Sequence, residues 1–210
     1  VLCDYIYLDT DERRRFAQVS HEYLIEQVQE QTETVGTSAN IRLNFNHPVK
    51  ELIWSFGVSS GGVNGNLMKS SLSEPQKGTA RLQLNGHDRF SDMPLEYFSL
   101  RQCIDYHSAV PGTNLAQTTE GVYNNFTTLY TGSVCSDLVN PVYVYSFALK
   151  PEEHQPSGTC NFSRIDNAKL ICDKTCGPDE SPITDTAKVF AVNYNVLRIM
   201  SGMGGLAYSN

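Results

Sequence analysis

The sequence predicts an all-β protein, an eight-stranded antiparallel jelly-roll sandwich with short helices and long loops. Two observations carry that prediction. Roughly eight to ten short runs alternate with the period of a strand or are rich in β-branched and aromatic residues. Turn signals such as His47-Pro48, Asn85-Gly86, Pro156-Ser157-Gly158 and Gly202-Met203-Gly204 separate them. Eight main strands with long loops suit a jelly roll best among the two-sheet architectures.

In chain order, Val1 to Asp9 alternates, is rich in tyrosine and reads as a strand. Asp9, with Glu12 three residues on, predicts a capped short helix over Thr10 to Ala17. Tyr23 to Thr34 is rich in Gln and Glu and fits helix or strand. The β-propensity of Thr32, Thr34 and Val35 favours a strand. Ile41 to Phe45 alternates cleanly, and Glu51 to Phe56 holds the single tryptophan, Trp54, in another strand. Ser59 to Gly65 is a glycine-rich loop, continued irregularly from Ser70 to Gly78. Ala80 to Leu84 is a strand ending at the tight-turn pair Asn85-Gly86. Leu95 and Phe98 give Met93 to Ile104 helical spacing.

Ser108 to Asn140 is polar and rich in Thr, Gly and Asn, long enough to imply a function or a local fold, with a hairpin predicted over Val122 to Tyr130. From Val142 to Leu149 both faces are apolar, which predicts a strand buried on two sides or at an interface. Pro151 and Pro156-Ser157-Gly158 turn the chain, and Phe162 to Cys172 is predicted as the next strand, paired with the one before, with Lys150 to Thr159 as the loop. Ala187 to Met200 is the longest β-rich run. A glycine turn follows it, then a short strand over Leu206 to Tyr208.

Composition narrows the function. With 210 residues, 40% hydrophobic and 19% charged, the chain is globular and long enough for a sizeable core. A net charge of -7 argues against a general nucleic-acid binder, and the basic run Arg13-Arg14-Arg15 reads as a solvated helix face or a contact. No stretch is apolar for the length of a membrane span. The strand-like opening at Val1 predicts a piece of a longer chain. Six cysteines, Cys3, Cys103, Cys135, Cys160, Cys172 and Cys176, are mostly far apart, so reduced buried or turn thiols are expected. Cys172 and Cys176 could supply half a zinc site, but no second close pair completes it.

Catalytic patterns fare poorly. Gly57-Val58-Ser59-Ser60-Gly61 matches G-x-S-x-G, but Gly62, Asn64 and Gly65 follow where a nucleophile elbow needs a helix. Gly202, Gly204 and Gly205 resemble a phosphate loop by glycine count alone, with no helix after them. His21, His47, His87, His107 and His154 are isolated from one another, so no metal site is expected. Glu152-Glu153-His154 reads as a solvated turn, and Asp88 with Arg89 as a surface or inter-subunit ion pair. Asn125-Phe126-Thr127 and Asn161-Phe162-Ser163 are N-glycosylation sequons, though Asn161 adjoins a strand expected to be buried.

Several segments carry a family likeness. They are Leu8-Asp9-Thr10 with Glu12-Arg13, HEYLIEQVQ from His21, NIRLNFNHP from Asn40 and LQLNGHDRF from Leu82. YSFALKPEEHQPSGTCNFSRIDNA from Tyr145 and NYNVLRIMSGMGGLAYSN from Asn193 are the longest. In this order they resemble the C-terminal half of the major capsid protein of the large nucleocytoplasmic DNA viruses, such as iridoviruses and algal phycodnaviruses. The resemblance implies two consecutive jelly rolls, of which this chain is the second, and the first is absent from it. It also implies homotrimeric capsomers of pseudo-hexagonal outline tiling an icosahedral shell. A late structural protein is then expected, located in the virion capsid after assembly in the host cytoplasm. Its partners would be its own copies, neighbouring capsomers, minor capsid proteins and an inner membrane, with no direct nucleic acid, no cofactor and no catalysis. Ser108 to Asn140 departs from the family pattern and reads as an insertion. Tyr123, Asn124, Asn125 and Tyr130 within it are sugar-site residue types, so a glycan-binding attachment module is the alternative reading.

Overall fold

A computed structural model describes residues 2–36, 38–58, 77–108, 142–175 and 185–208. After a capped helix, α1 (Thr10–Gln18), come β1 (His21–Val35), β2 (Ser38–Leu43), β3 (Pro48–Val58), β4 (Lys77–Leu84) and the short β5 (His87–Asp88) and β6 (Met93–Pro94). A π-turn, Tyr97–Arg101, runs into α2 (Gln102–Tyr106). Then follow β7 (Val142–Ser146), β8 (Cys160–Asn161), a 3₁₀ turn (Phe162–Arg164), β9 (Ala168–Thr175), β10 (Asp185–Met200) and β11 (Met203–Leu206).

Two antiparallel sheets stack, ordered β1-β10-β3-β7 and β2-β9-β4-β5. The pairs nest, β1 with β10, β2 with β9, β3 with β7 and β4 with β5, as in one long hairpin rolled upon itself. That nesting defines a jelly roll, so the predicted fold class is the observed one. Asn85-Gly86 is the tip of the rolled hairpin. Both residues have positive φ, 51° and 82°, as a tight two-residue turn of twisted strands requires. The Asn85 side chain also accepts from the N–H groups of Asp166 and Asn167, tying the tip to the approach to β9.

Alternation along the strands fills the core. Leu52, Trp54 and Phe56 of β3 face Ala191, Val189 and Ala187 across the ladder and meet Ile41, Leu82 and Leu170 of the opposite sheet in one buried cluster. Trp54 lies between Phe98 and Tyr143, at ring distances of 5.2 and 5.9 Å. The apolar spacing predicted for a helix after Met93 delivers Leu95 and Phe98 into that cluster. The helical residues begin after Pro94, because Met93 and Pro94 pair with β4.

The Gln-rich stretch is β1, and its glutamines have a specific task. β1 and β2 belong to different sheets, so no ladder joins them. Instead, Gln29 donates to the Asn46 carbonyl at 2.7 Å and accepts from the Asn46 N–H at 3.1 Å. Gln31 likewise donates to the Arg42 carbonyl and accepts from the Asn44 N–H. Each side-chain amide imitates a strand's backbone and closes the gap between the sheets.

Five expectations need correction. Residues 2–9 form no ladder, and Leu2, Tyr5, Ile6 and Tyr7 are exposed, because alternation makes a strand only when a partner strand pairs with it. β7 stops at Ser146 rather than Leu149, since the Lys50 carbonyl takes the N–H groups of both Phe147 and Ala148. The strand after the turn begins at Ala168, and Phe162 instead enters a 3₁₀ turn that buries its ring. Nor do β7 and β9 pair, for they lie in opposite sheets and the turn between them crosses the sandwich. Finally, the last strand is Met203–Leu206, folded back on β10 by the turn at Ser201 and Gly202.

Within the crossing turn, Gly158 has φ +146°, and a Cβ there would sit 2.8 Å from the Phe147 carbonyl oxygen. Gly158→Ala is expected to cost about 1–3 kcal/mol, read as a lower thermal midpoint with an unchanged far-UV spectrum.

Candidate interaction surfaces and polar sites

The two ends of the sandwich differ in chemistry. Val35, Val58 and Asp185 lie in register at one end, and Lys77 lies opposite Thr175 in the second sheet. Val142 enters there too, opposite Ser55. Segments 36–37, 59–76 and 176–184 link strands whose described ends lie on this side, and the polar 109–141 precedes Val142 in the sequence. At the other end, β10 outruns β3, whose ladder with it stops at Asn193. Beyond that point β1, β10 and β11 continue as a three-stranded arm. Seven of the exposed large apolar side chains among the described residues belong to this arm or flank it, Val19, Tyr23, Leu24, Met200, Met203, Leu206 and Tyr208, and Leu2, Tyr5, Ile6, Tyr7 and Leu8 precede it in the sequence.

A polar site lies on the outer face of the first sheet, where β3 bulges. Val192 pairs with Glu51 and Asn193 with Val49, leaving Lys50 as the extra residue. Its side chain, 4% exposed, turns outward to Glu26 on β1, with Nζ 2.7 Å from Oε1 and 5.6 Å from the Tyr194 ring centre. Burial raises the Tyr194 phenol's pKa, against the nearby Lys50 charge. Glu26 also lies 3.6 Å from His154 Nδ1. Beside it, Glu51 is held by His107 at the end of α2, with Nε2 to Oε2 at 2.8 Å. The next residue, Ser108, donates through its N–H and its hydroxyl to Glu152 at 3.0 and 3.1 Å. Cys103, buried below, has its thiol pushed up to about 11 by burial, with Glu51 adding to the effect.

The residues singled out in the sequence are dispersed across the fold. Glu152 and His154 reach different partners, while Glu153 pairs with Lys150 at 3.0 Å. His21 stacks between Phe16 and Tyr23, His47 is buried with φ 68°, and His87 is exposed on β5. Among the described residues, no group of three or more His, Cys, Asp or Glu could hold a metal ion. Cys3 is exposed, Cys160 half-buried, and Cys103 and Cys172 buried, all as thiols. Cys135 and Cys176 lie outside the described residues. So do Ser59, Ser60 and Gly61 of the G-x-S-x-G match, the predicted hairpin over Val122 to Tyr130, and Tyr123, Asn124, Asn125 and Tyr130. Gly202, Gly204 and Gly205 belong to the β10–β11 hairpin. Asp88 accepts from Gln83 at 3.2 Å, and Arg89 follows β5 in a bend. Arg13, Arg14 and Arg15 sit on α1, which buries none of its residues.

Asn161, next to the buried Phe162, is exposed at the end of β8. Its Oδ1 accepts from the Ser163 N–H, and Ser163 Oγ accepts from the His47 N–H. Sequence reasoning missed the buried Lys50 and the Glu51–His107 pair. The signal was present as two charges, Lys50 and Glu51, heading an otherwise apolar strand, but a bulge is not visible in alternation.

Comparison with known proteins follows the same outline. A family model described as the large eukaryotic DNA virus major capsid protein matches residues 12–119 and 112–205. The major capsid protein of Pyramimonas orientalis virus is 54% identical over 99% of this chain and 48% of its own length. That of Paramecium bursaria Chlorella virus 1 is 39% identical over all of this chain and 54% of its own. A solved structure, a quasi-atomic model of the PBCV-1 virus capsid, superposes with a TM-score of 0.68 at 36% identity, covering 98% of this chain and 56% of that one. The chain thus spans about half the length of the curated relatives it matches.

Proposed function

The chain belongs to the family of large eukaryotic DNA virus major capsid proteins, and on that footing we propose that it is one jelly roll of a double jelly-roll shell protein. Three copies of the longer protein form a pseudo-hexagonal capsomer, and capsomers tile an icosahedral shell. The observation that carries this reading is a jelly roll matched to the family along both sheets, in a chain half its relatives' length. The work is structural rather than catalytic. Buried strands hold each subunit, and large interfaces hold subunits together. Cyclic symmetry closes the trimer, and repeated contacts between capsomers extend the lattice.

The acidic balance suits a shell separated from the genome by minor capsid proteins and an inner membrane. Assembly in the host cytoplasm, late in infection, completes the reading. Its test is mass measurement of the full-length protein with imaging of the particle. Trimers in solution and threefold capsomers in the shell are expected. A protein that stays monomeric at high concentration and is absent from the shell defeats it.

The contrast between the ends supports an orientation, with the polar connections outward and the apolar arm toward other protein. An epitope tag placed within 109–141 is expected to bind antibody on intact particles, and one in the Ser201-Gly202 turn only after disruption. Equal accessibility would refute the orientation. The insertion 108–140 then decorates the outer surface. Asn125 within it and Asn161 at the end of β8 are the proposed glycan carriers, to be checked by intact mass before and after enzymatic deglycosylation.

A further inference from the structure

His107 is set in an unusual position for a residue at the end of a short helix. With Ser108 beside it, it ties three elements together. Its backbone N–H closes α2 on the Cys103 carbonyl at 2.9 Å. Its ring reaches Glu51 on β3, and both side chains are largely buried, at 15% and 11% exposure. Ser108 beside it is fastened to Glu152 in the turn that follows β7. Gln102, one turn earlier, accepts the Ser146 N–H of β7 through its side-chain oxygen. The end of α2 is thus clipped to β3, to β7 and to the crossing turn. Ser108 is also the last described residue before the polar segment 109–141.

We propose that His107, Glu51 and Glu152 form a proton-operated clasp that fixes the end of α2 to the sheet and to the crossing turn, closed when the imidazole is charged and loosened when it is neutral. The physical basis is the buried carboxylate. The other nearby cation, Lys50, is committed to Glu26, so a charged His107 is what balances Glu51. The neutral ring still donates one hydrogen bond but carries no charge to offset the carboxylate in a site shielded from water. Its second nitrogen, Nδ1, is buried and makes no hydrogen bond of good geometry, though the Gln102 carbonyl lies near enough to favour the charged ring.

The groups facing the ring are Glu51 from β3, Glu152 from the turn, and Cys103 and the Gln102 carbonyl from α2. The hydrogen bond to Glu51 raises the His107 pKa above its ordinary value. Burial opposes this, while the charges of Glu51 and Glu152 and the Gln102 carbonyl add to it. Because the folded-state value is raised, the contribution is complete below the ordinary histidine pKa and is lost as pH rises through the folded one. Glu152 is shifted the other way, downward, by its hydrogen bonds from Ser108. Its contact therefore persists as pH falls below the ordinary carboxylate range. The clasp holds across the window between the two and opens on the alkaline side.

Two titrations of the full chain test this. The first follows the His107 ring by NMR. Its midpoint is expected above that of free imidazole, and Glu51→Gln is expected to bring it down. The second follows amide exchange at 103–108 and 147–153, corrected for the intrinsic effect of pH. Protection is expected to fall several-fold between about pH 6 and about pH 9 in the unaltered chain. In His107→Gln, which keeps a hydrogen-bond donor but never a charge, protection is expected to be low and flat. A midpoint at or below the free value, or a protection profile that does not change with pH or changes equally in His107→Gln, overturns the proposal. Should His107→Gln not fold, the unaltered chain and Glu51→Gln decide it.

Discussion

Trp54→Ala is expected to destabilise the domain by about 3–5 kcal/mol. A single domain has only about 5–15 kcal/mol to lose. The indole is 1% exposed and packed against Phe98 and Tyr143. Those contacts hold the π-turn of one chain segment against β3 and β7 of another, and no neighbour can collapse into the space without leaving its own ladder. The expected readout is a large fall in thermal midpoint and the loss of shell assembly. Trp54→Phe separates packing from polarity. The indole Nε1 is buried without a hydrogen-bond partner, so phenylalanine forfeits volume but no bond. It is expected to cost about 1–2 kcal/mol and to preserve assembly. A midpoint for Trp54→Ala within two or three degrees of the parent would show that the aromatic cluster is not the centre of stability.

Glu26→Ala is the second large effect. It strands the Lys50 ammonium on a sheet face where only 4% of that side chain meets solvent. Breaking a fully buried pair costs about 3–5 kcal/mol. Glu26 itself is 33% exposed, so water softens the loss to about 2–3 kcal/mol. Adding Lys50→Met to Glu26→Ala should recover most of that stability, since methionine fills the same path without a charge to satisfy. Chemical denaturation of the two single variants and the double decides the matter. If Lys50→Met makes Glu26→Ala worse, the lysine is valued for the packing of its stem rather than penalised for its unpaired charge.

Much of the sandwich was legible because a strand announces itself locally. The alternation at Ile41 to Phe45, Ala80 to Leu84 and Ala187 to Met200 marks the buried faces of β2, β4 and β10. Asn85-Gly86 marks the tip of the roll, since few other residue pairs tolerate its backbone. What alternation leaves out is which sheet a strand joins. Val142 to Arg164 looks like a hairpin because two apolar runs flank a turn. The pairing is instead fixed by β3, whose open edge takes β7. Residues 2–9 show the converse, a good strand sequence that pairs with no strand. The polar site was the least legible part, since its members come from β1, β3, α2 and the crossing turn. Only the fold brings Glu26, Lys50, Glu51, His107 and Glu152 together.

Under the proposed shell role, the glutamine rungs between β1 and residues 42–46 have a consequence for meeting many copies of the same chain. An open strand edge is an invitation to any other open edge, and a crowded population of subunits would answer it with disordered fibres. Gln29 and Gln31 spend their amides on backbone groups that would otherwise face outward from β2 and the chain after it. A subunit sealed in this way recognises its neighbours by shape and side chain, and a lattice chosen by shape can stop growing where its curvature closes.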